Sequence, residues 1–208
     1  MKLLRETIRR LILEDRCGAL NPKLQGAIEQ LIEHDLTIDY EQFDDRINIR
    51  LLRPEAPIVV GELTSLKQPA YMGACNDAFV VGNARVKPQF RDTGIGALMY
   101  DVLIELAADD GITSDRVSVS DDAIRIWNYF YRSSDYVKNP LDTANGEYTP
   151  DPMDDCEGWS WREHGGSSFS SPTMEEFQSH PLNNTYVKND KSMATYKCLS
   201  DIGRIEER

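Results

Sequence analysis

The seventeen residues from Ala84 to Tyr100, A-R-V-K-P-Q-F-R-D-T-G-I-G-A-L-M-Y, constrain this chain more than any other stretch. A β-rich run ends at Val86, Pro88 forces a turn, and Arg91–Gly96 leads into an apolar helical pattern through Ile95, Leu98, Met99, Val102, Leu103 and Leu106. Gly94 and Gly96 permit positive φ and let a ligand approach the backbone closely. N–H groups at a helix start carry partial positive charge and can cradle a pyrophosphate. Arg85, Lys87 and Arg91 surround this loop in a chain of formal net charge −12, so the contrast points to an anionic ligand. A Rossmann fingerprint would need a third glycine where Met99 stands. A P-loop would need G-K-[ST], and Ala97 and Leu98 follow Gly96 instead.

The surrounding sequence supplies elements for a packed domain. Leu3, Leu4, Ile8, Leu11 and Ile12 form one helical stripe. A second helix starts at Asn21 as cap with Pro22 behind it, and carries Leu24, Ala27, Ile28, Leu31 and Ile32 at core-facing spacing. Strand texture covers Arg46–Leu52, Pro57–Leu66 and Asp77–Val86. Val117 and Val119 suggest a short strand, and Asp121 and Asp122 open a helix through Ala123, Ile126, Trp127 and Phe130. Prolines, glycines and serines mark a loop-rich excursion over about 140–181, after which Thr185–Leu199 reads as a returning strand. The expectation is one domain over residues 1–208 with an N-terminal helical segment at 1–34. Its class is α/β (α+β), a mixed and mostly antiparallel sheet with helices on both faces.

The loop pattern resembles the GNAT superfamily of N-acetyltransferases, in which a strand ending V-x-P-x-[FY] precedes [RQ]-x-x-G-x-[GA] and a helix. Val86, Pro88, Phe90, Arg91, Gly94 and Gly96 all match. Downstream, Ser120-x-x-Ala123-x-x-Ile126-Trp127 is similar to the family's N-x-x-A-x-x-[LI]-Y helix beside the cofactor arm, so the resemblance spans about residues 77–137. It implies a GNAT-like fold whose glycine loop lies where the fourth and fifth strands splay, and transfer of an acetyl group from acetyl-CoA to an amine. The pyrophosphate would rest on the backbone of Arg91, Asp92, Thr93, Gly94, Ile95, Gly96 and Ala97. The pantetheine arm would pair with the edge at Ala84, Arg85 and Val86, with Ser120 and Trp127 alongside. No metal is implied.

The sequence also departs from that family. Trp127 stands where a tyrosine general acid is frequent, which makes Tyr131, one turn further on, the better substitute. Glu62 and Asp77 are the candidate bases. Packing for the tyrosine and a solvated strand face for the carboxylates are the plainer roles. The family's usual first strand is hard to find in the sequence, since the chain opens with a helix. The alternative function is a non-catalytic GNAT-fold binding or structural protein, and the basic amphipathic leader ending Ile12-Leu13-Glu14 resembles leader segments of proteins carried in tailed-phage genomes.

Charge narrows the partners. Between Asp101 and Glu157 there are 14 acids and four bases, a field that repels phosphate backbones and favours a cationic acceptor, either a small-molecule or a protein amine. Nucleic acid and membrane are not expected partners, and a homodimer stays open. The four cysteines and three histidines form no zinc pattern, and scattered single cysteines fit a reducing, cytoplasmic setting, the host's cytoplasm for a phage-encoded chain.

Overall fold

The computed structural model describes residues 15–55, 58–67, 78–115, 119–140, 180–190 and 193–208. The helix expected over residues 3–12, and nearly all of the 140–181 excursion, lie outside them.

The first described helix, α1 (Pro22–Glu33), forms as its cap signal dictates. Asn21 Oδ1 accepts the Leu24 N–H at 3.0 Å, Pro22 takes the first turn, and Leu24, Ala27, Ile28 and Leu31 turn inward. Four antiparallel strands follow: β1 (Thr37–Gln42), β2 (Arg46–Arg53), β3 (Ile58–Lys67) and β4 (Phe79–Val86). Then come α2 (Ile95–Ala107), β5 (Ile112–Ser114), α3 (Asp121–Arg132), β6 (Tyr136–Pro140), β7 (Asn184–Lys188), α4 (Ala194–Asp201) and β8 (Ile205–Glu207). They make one eight-stranded mixed sheet in the order β6-β7-β5-β4-β3-β2-β1-β8, parallel only at β4–β5 and β1–β8.

Helices were expected on both faces; the described ones gather on one. Ile38, Tyr40, Ile47, Ile49, Leu51, Leu63 and Val81 turn toward them and are buried. The opposite face carries Asp39, Arg50, Glu62 and Arg85 in cross-strand register. Connectivity explains the one-sided arrangement. The β4–α2–β5 and β5–α3–β6 crossovers move the same way across the sheet, and right-handed crossovers of one direction place both helices on one side.

Two strand assignments also change. A short strand forms at Ile112–Ser114, where Ile112 and Ser114 fall into register with Phe79 and Val81; Val119 lies in the approach to α3, and Val117 lies outside the described residues. The stretch read as a strand over Thr185–Leu199 splits into β7 and α4. Helix α4 begins without a side-chain cap of its own, at Met193 with φ 51°. Glu105 on α2 replaces the cap, accepting the N–H groups of Thr195 at 3.0 Å and Tyr196 at 2.7 Å.

Helix α2 is thus central rather than amphipathic, and its two acids are internal. Asp101 accepts from Tyr136 Oη (2.5 Å), Thr195 Oγ1 (2.5 Å) and Lys188 Nζ (2.7 Å). Burial first, and the neighbouring Asp101 second, hold the Glu105 carboxyl above the ordinary glutamate range. A carboxyl so raised binds its proton more tightly folded than unfolded. Its contribution to stability is therefore full below the ordinary glutamate pKa and is lost as pH rises through the raised value. Denaturant titrations across that window should give wild type a falling stability that Glu105→Gln lacks; parallel profiles would refute the assignment.

Gly111 closes the turn into β5 with φ 66° and ψ −173°, and a Cβ there would lie 2.7 Å from the Tyr186 carbonyl oxygen. Conformational strain and this backbone clash together predict a loss of about 3 kcal/mol for Gly111→Ala, read as a lowered denaturation midpoint.

The cysteines are not all single. Cys17 and Cys198 are both buried and joined by a disulfide with Cα atoms 5.1 Å apart, because α4 packs beside the entry to α1. Cys75 and Cys156 lie outside the described residues. No described helix is long and apolar enough to cross a membrane.

Candidate ligand cleft

The sheet opens where β4 and β5 part. Pairing of β4 with β5 covers only Phe79–Val81 against Ile112–Ser114, while β4 runs on to Val86. Against β3, Gly82 is an extra residue: Ser65 is opposite Val81 and Thr64 opposite Asn83. A bulge bends its strand and sharpens the local twist, and here it sits where β4 and β5 part.

The opening is a cleft of about 200 Å³. Its walls are Val81–Ala84 of β4, Tyr100 of α2, Asp115 and Val119 of the approach to α3, Ser120, and Ala123 and Trp127 of α3. Ser120 Oγ caps α3 by accepting the Ala123 N–H at 3.3 Å. Trp127 is 1% exposed, edge-on to Tyr100 and tilted against Tyr186, each at 5.5 Å between ring centroids.

Beside the cleft, the glycine loop is held from below. Phe90, in the short helical turn Pro88–Phe90, is buried edge-on against His34 at 5.3 Å. Thr93 Oγ1 donates to the Phe90 carbonyl at 2.7 Å, and Arg91 Nε to the Val86 carbonyl at 3.1 Å. Asp92 takes φ 58° and Gly94 φ 84°, turning the chain into α2. Gly94 also lies close to α1, where an added Cβ would meet Ala27 Cβ at 3.2 Å. Gly96 has more room, its nearest neighbour being Ile126 Cδ1 at 3.8 Å. Ile95 and Ala97 bury their side chains, so their backbone is what a ligand could use.

The residues singled out in sequence divide accordingly. Ala84, Ser120 and Trp127 line the cleft, and Arg91–Ala97 form the adjoining loop and helix start. Arg85 points to the other face of β4, where its Nε lies 2.8 Å from Glu62 Oε1. Asn83 donates to the same oxygen at 2.7 Å. Glu62 is therefore ion-paired away from the cleft, and Arg85 adds only backbone to the strand edge. Tyr131 lies beyond the cleft wall, with Lys138 Nζ 4.9 Å from its ring. Asp77 is outside the described residues.

Val81, Gly82, Asn83, Tyr100, Asp115 and Val119 were missed as wall residues, and Ala123 was named only as part of the helix motif. For Tyr100 a signal existed, since it lies four positions after Gly96 and so on the same helix face. Asp115 gave none, because the strand that precedes it, Ile112–Ser114, went unread. A larger hollow of about 440 Å³ lies between residues 19–24, Ser134–Asp135 and Lys188–Asp190, and none of the candidate catalytic or cofactor-binding residues lines it. The described residues contain no group of three metal-ligating side chains. No family model, curated protein or solved structure matches the chain.

Proposed function

We propose that the protein is an acetyl-CoA-dependent N-acetyltransferase of GNAT-like fold, acting on an amine. The observation that carries this reading is the parting of β4 and β5. It leaves the β4 edge from Gly82 to Val86 beside a cleft, with a glycine loop and the first turn of α2 next to it. An extended pantetheine arm can add to such an edge as a strand does. The unpaired N–H groups of a helix start suit the pyrophosphate. The amine must lose its proton to attack, which calls for a base or a water relay.

A cationic acceptor remains the favoured class, on a narrower basis. Asp101 and Glu105 belong to the interior and Asp135 accepts from Asn21 Nδ2 at 2.7 Å, so the attracting field rests on the remaining acids. A second reading, a CoA-binding protein without turnover, is favoured by one observation: a buried indole stands where a tyrosine acid is frequent. Calorimetric titration with CoA, followed by thiol release from acetyl-CoA over an amine panel at low and high salt, separates the two. Binding with turnover supports the transferase, binding alone supports the second reading, and no binding rejects both.

A further inference from the structure

Most polar side chains lining the cleft are committed to the protein. Asn83 serves Glu62, Ser120 caps α3, and Asp115 has a partner. Tyr100 is different. It is 3% exposed and meets Trp127 and Phe130 through its ring, yet its hydroxyl has no hydrogen-bond partner among the described residues. The residue lines the cleft, and its oxygen is not among the sealed, unpartnered polar atoms of the described residues. A buried phenol normally finds a partner, so an unpartnered one lining a cleft is placed to serve a ligand. Burial also keeps the phenol protonated by pushing it above the ordinary tyrosine range, which makes it a donor at any working pH.

We propose that Tyr100 Oη donates a hydrogen bond to the thioester carbonyl oxygen of the acyl donor in this cleft; the assignment rests on the acyl-transfer reading above. When the amine forms the C–N bond, the carbonyl π electrons move to that oxygen, where a preorganised donor in a dry site stabilises the charge. On collapse the C–S bond breaks and its electron pair leaves on sulfur. The thiolate takes a proton from solvent and the ammonium loses one to solvent, so the phenol ends as it began. Trp127 bounds the same space but has no hydroxyl to offer.

Tyr100→Phe tests this, because it removes one oxygen that no described residue holds. The variant should keep or raise the unfolding midpoint and bind CoA, which lacks the carbonyl, within about threefold of wild type. Its kcat for acetyl transfer should fall about 100-fold, the usual effect of one oxyanion donor. An unchanged kcat overturns the proposal, as does an equal loss of CoA affinity and stability, which would mark a packing role. If wild type binds CoA without turnover, affinity becomes the readout. Acetyl-CoA should then bind more tightly than its S-ethyl thioether analogue, and the variant should lose that preference; a preference the variant keeps overturns the proposal. Wild type that binds neither rejects the acyl-transfer reading itself and this assignment with it, whereas an active wild type with an equally active variant rejects only the role of Tyr100.

Discussion

Gly96→Val should abolish CoA binding while leaving the fold largely intact. The space beyond Gly96 is open enough for a side chain, with Ile126 Cδ1 the nearest atom at 3.8 Å, and Gly96 is not among the positive-φ residues. An added Cβ therefore meets neither a clash nor backbone strain inside the protein, and its nearest neighbour is the far end of a flexible side chain. On the ligand side, a branched side chain in the first turn of α2 would hold a pyrophosphate away from the N–H groups. Losing two charge-assisted hydrogen bonds at roughly 1.5–3 kcal/mol each amounts to about 100-fold or more in affinity. Titration calorimetry with CoA reads this directly, with the denaturation midpoint as control. Unchanged affinity would mean that any cofactor site lies elsewhere. Gly94 would make a poorer probe: its φ of 84° and its contact with Ala27 would confound binding with stability.

Reducing the Cys17–Cys198 bond should be the most damaging single change to stability. The bond closes a loop between positions 181 apart, and the chain-entropy relation gives about 5 kcal/mol for a loop of that size. Both cysteines are buried in the main core, so the bond also fixes the entry to α1 against α4. Guanidinium unfolding with and without dithiothreitol should show a large drop in midpoint for wild type. The double variant Cys17→Ala, Cys198→Ala should start low and show no further drop from this bond. Equal wild-type midpoints with and without reductant would refute the stabilising role.

Legibility in the sequence followed the range of the interactions. Helix α1 was readable because Asn21, Pro22 and the stripe from Leu24 to Leu31 are all local signals. The β4–loop–α2 unit was readable for the same reason, and the splay at β4–β5 is where the resemblance implied it. Strand β1 went unread because its alternation, Ile38-Asp39-Tyr40-Glu41, is only four residues long; Asp39 and Glu41 form its polar side, and what balances them is Arg50 across the sheet. The burial of Asp101 and Glu105 was equally hidden, since Lys188, Thr195 and Tyr136 come from well over thirty positions away. The cations at 85 and 91 were legible by type but not by direction. Strand pleating turned Arg85 outward to Glu62, and Arg91 folded back onto the Val86 carbonyl. In the cleft, Ala84, Ser120 and Trp127 were named through a motif, whereas Tyr100 carried only the weaker signal of its place one turn after Gly96.

The bulge at Gly82 bears on how such a bend comes and goes in a lineage. The bulge is a count of residues rather than a side chain, one more on β4 than β3 can match, at the point where the β4–β5 pairing ends. Losing one residue at that point would restore regular β3–β4 pairing with every later side chain on its present face, and would remove the bulge's bend. A single codon thus separates a bent β4 from a regular one at the place where its pairing with β5 ends, with no core side chain exchanged.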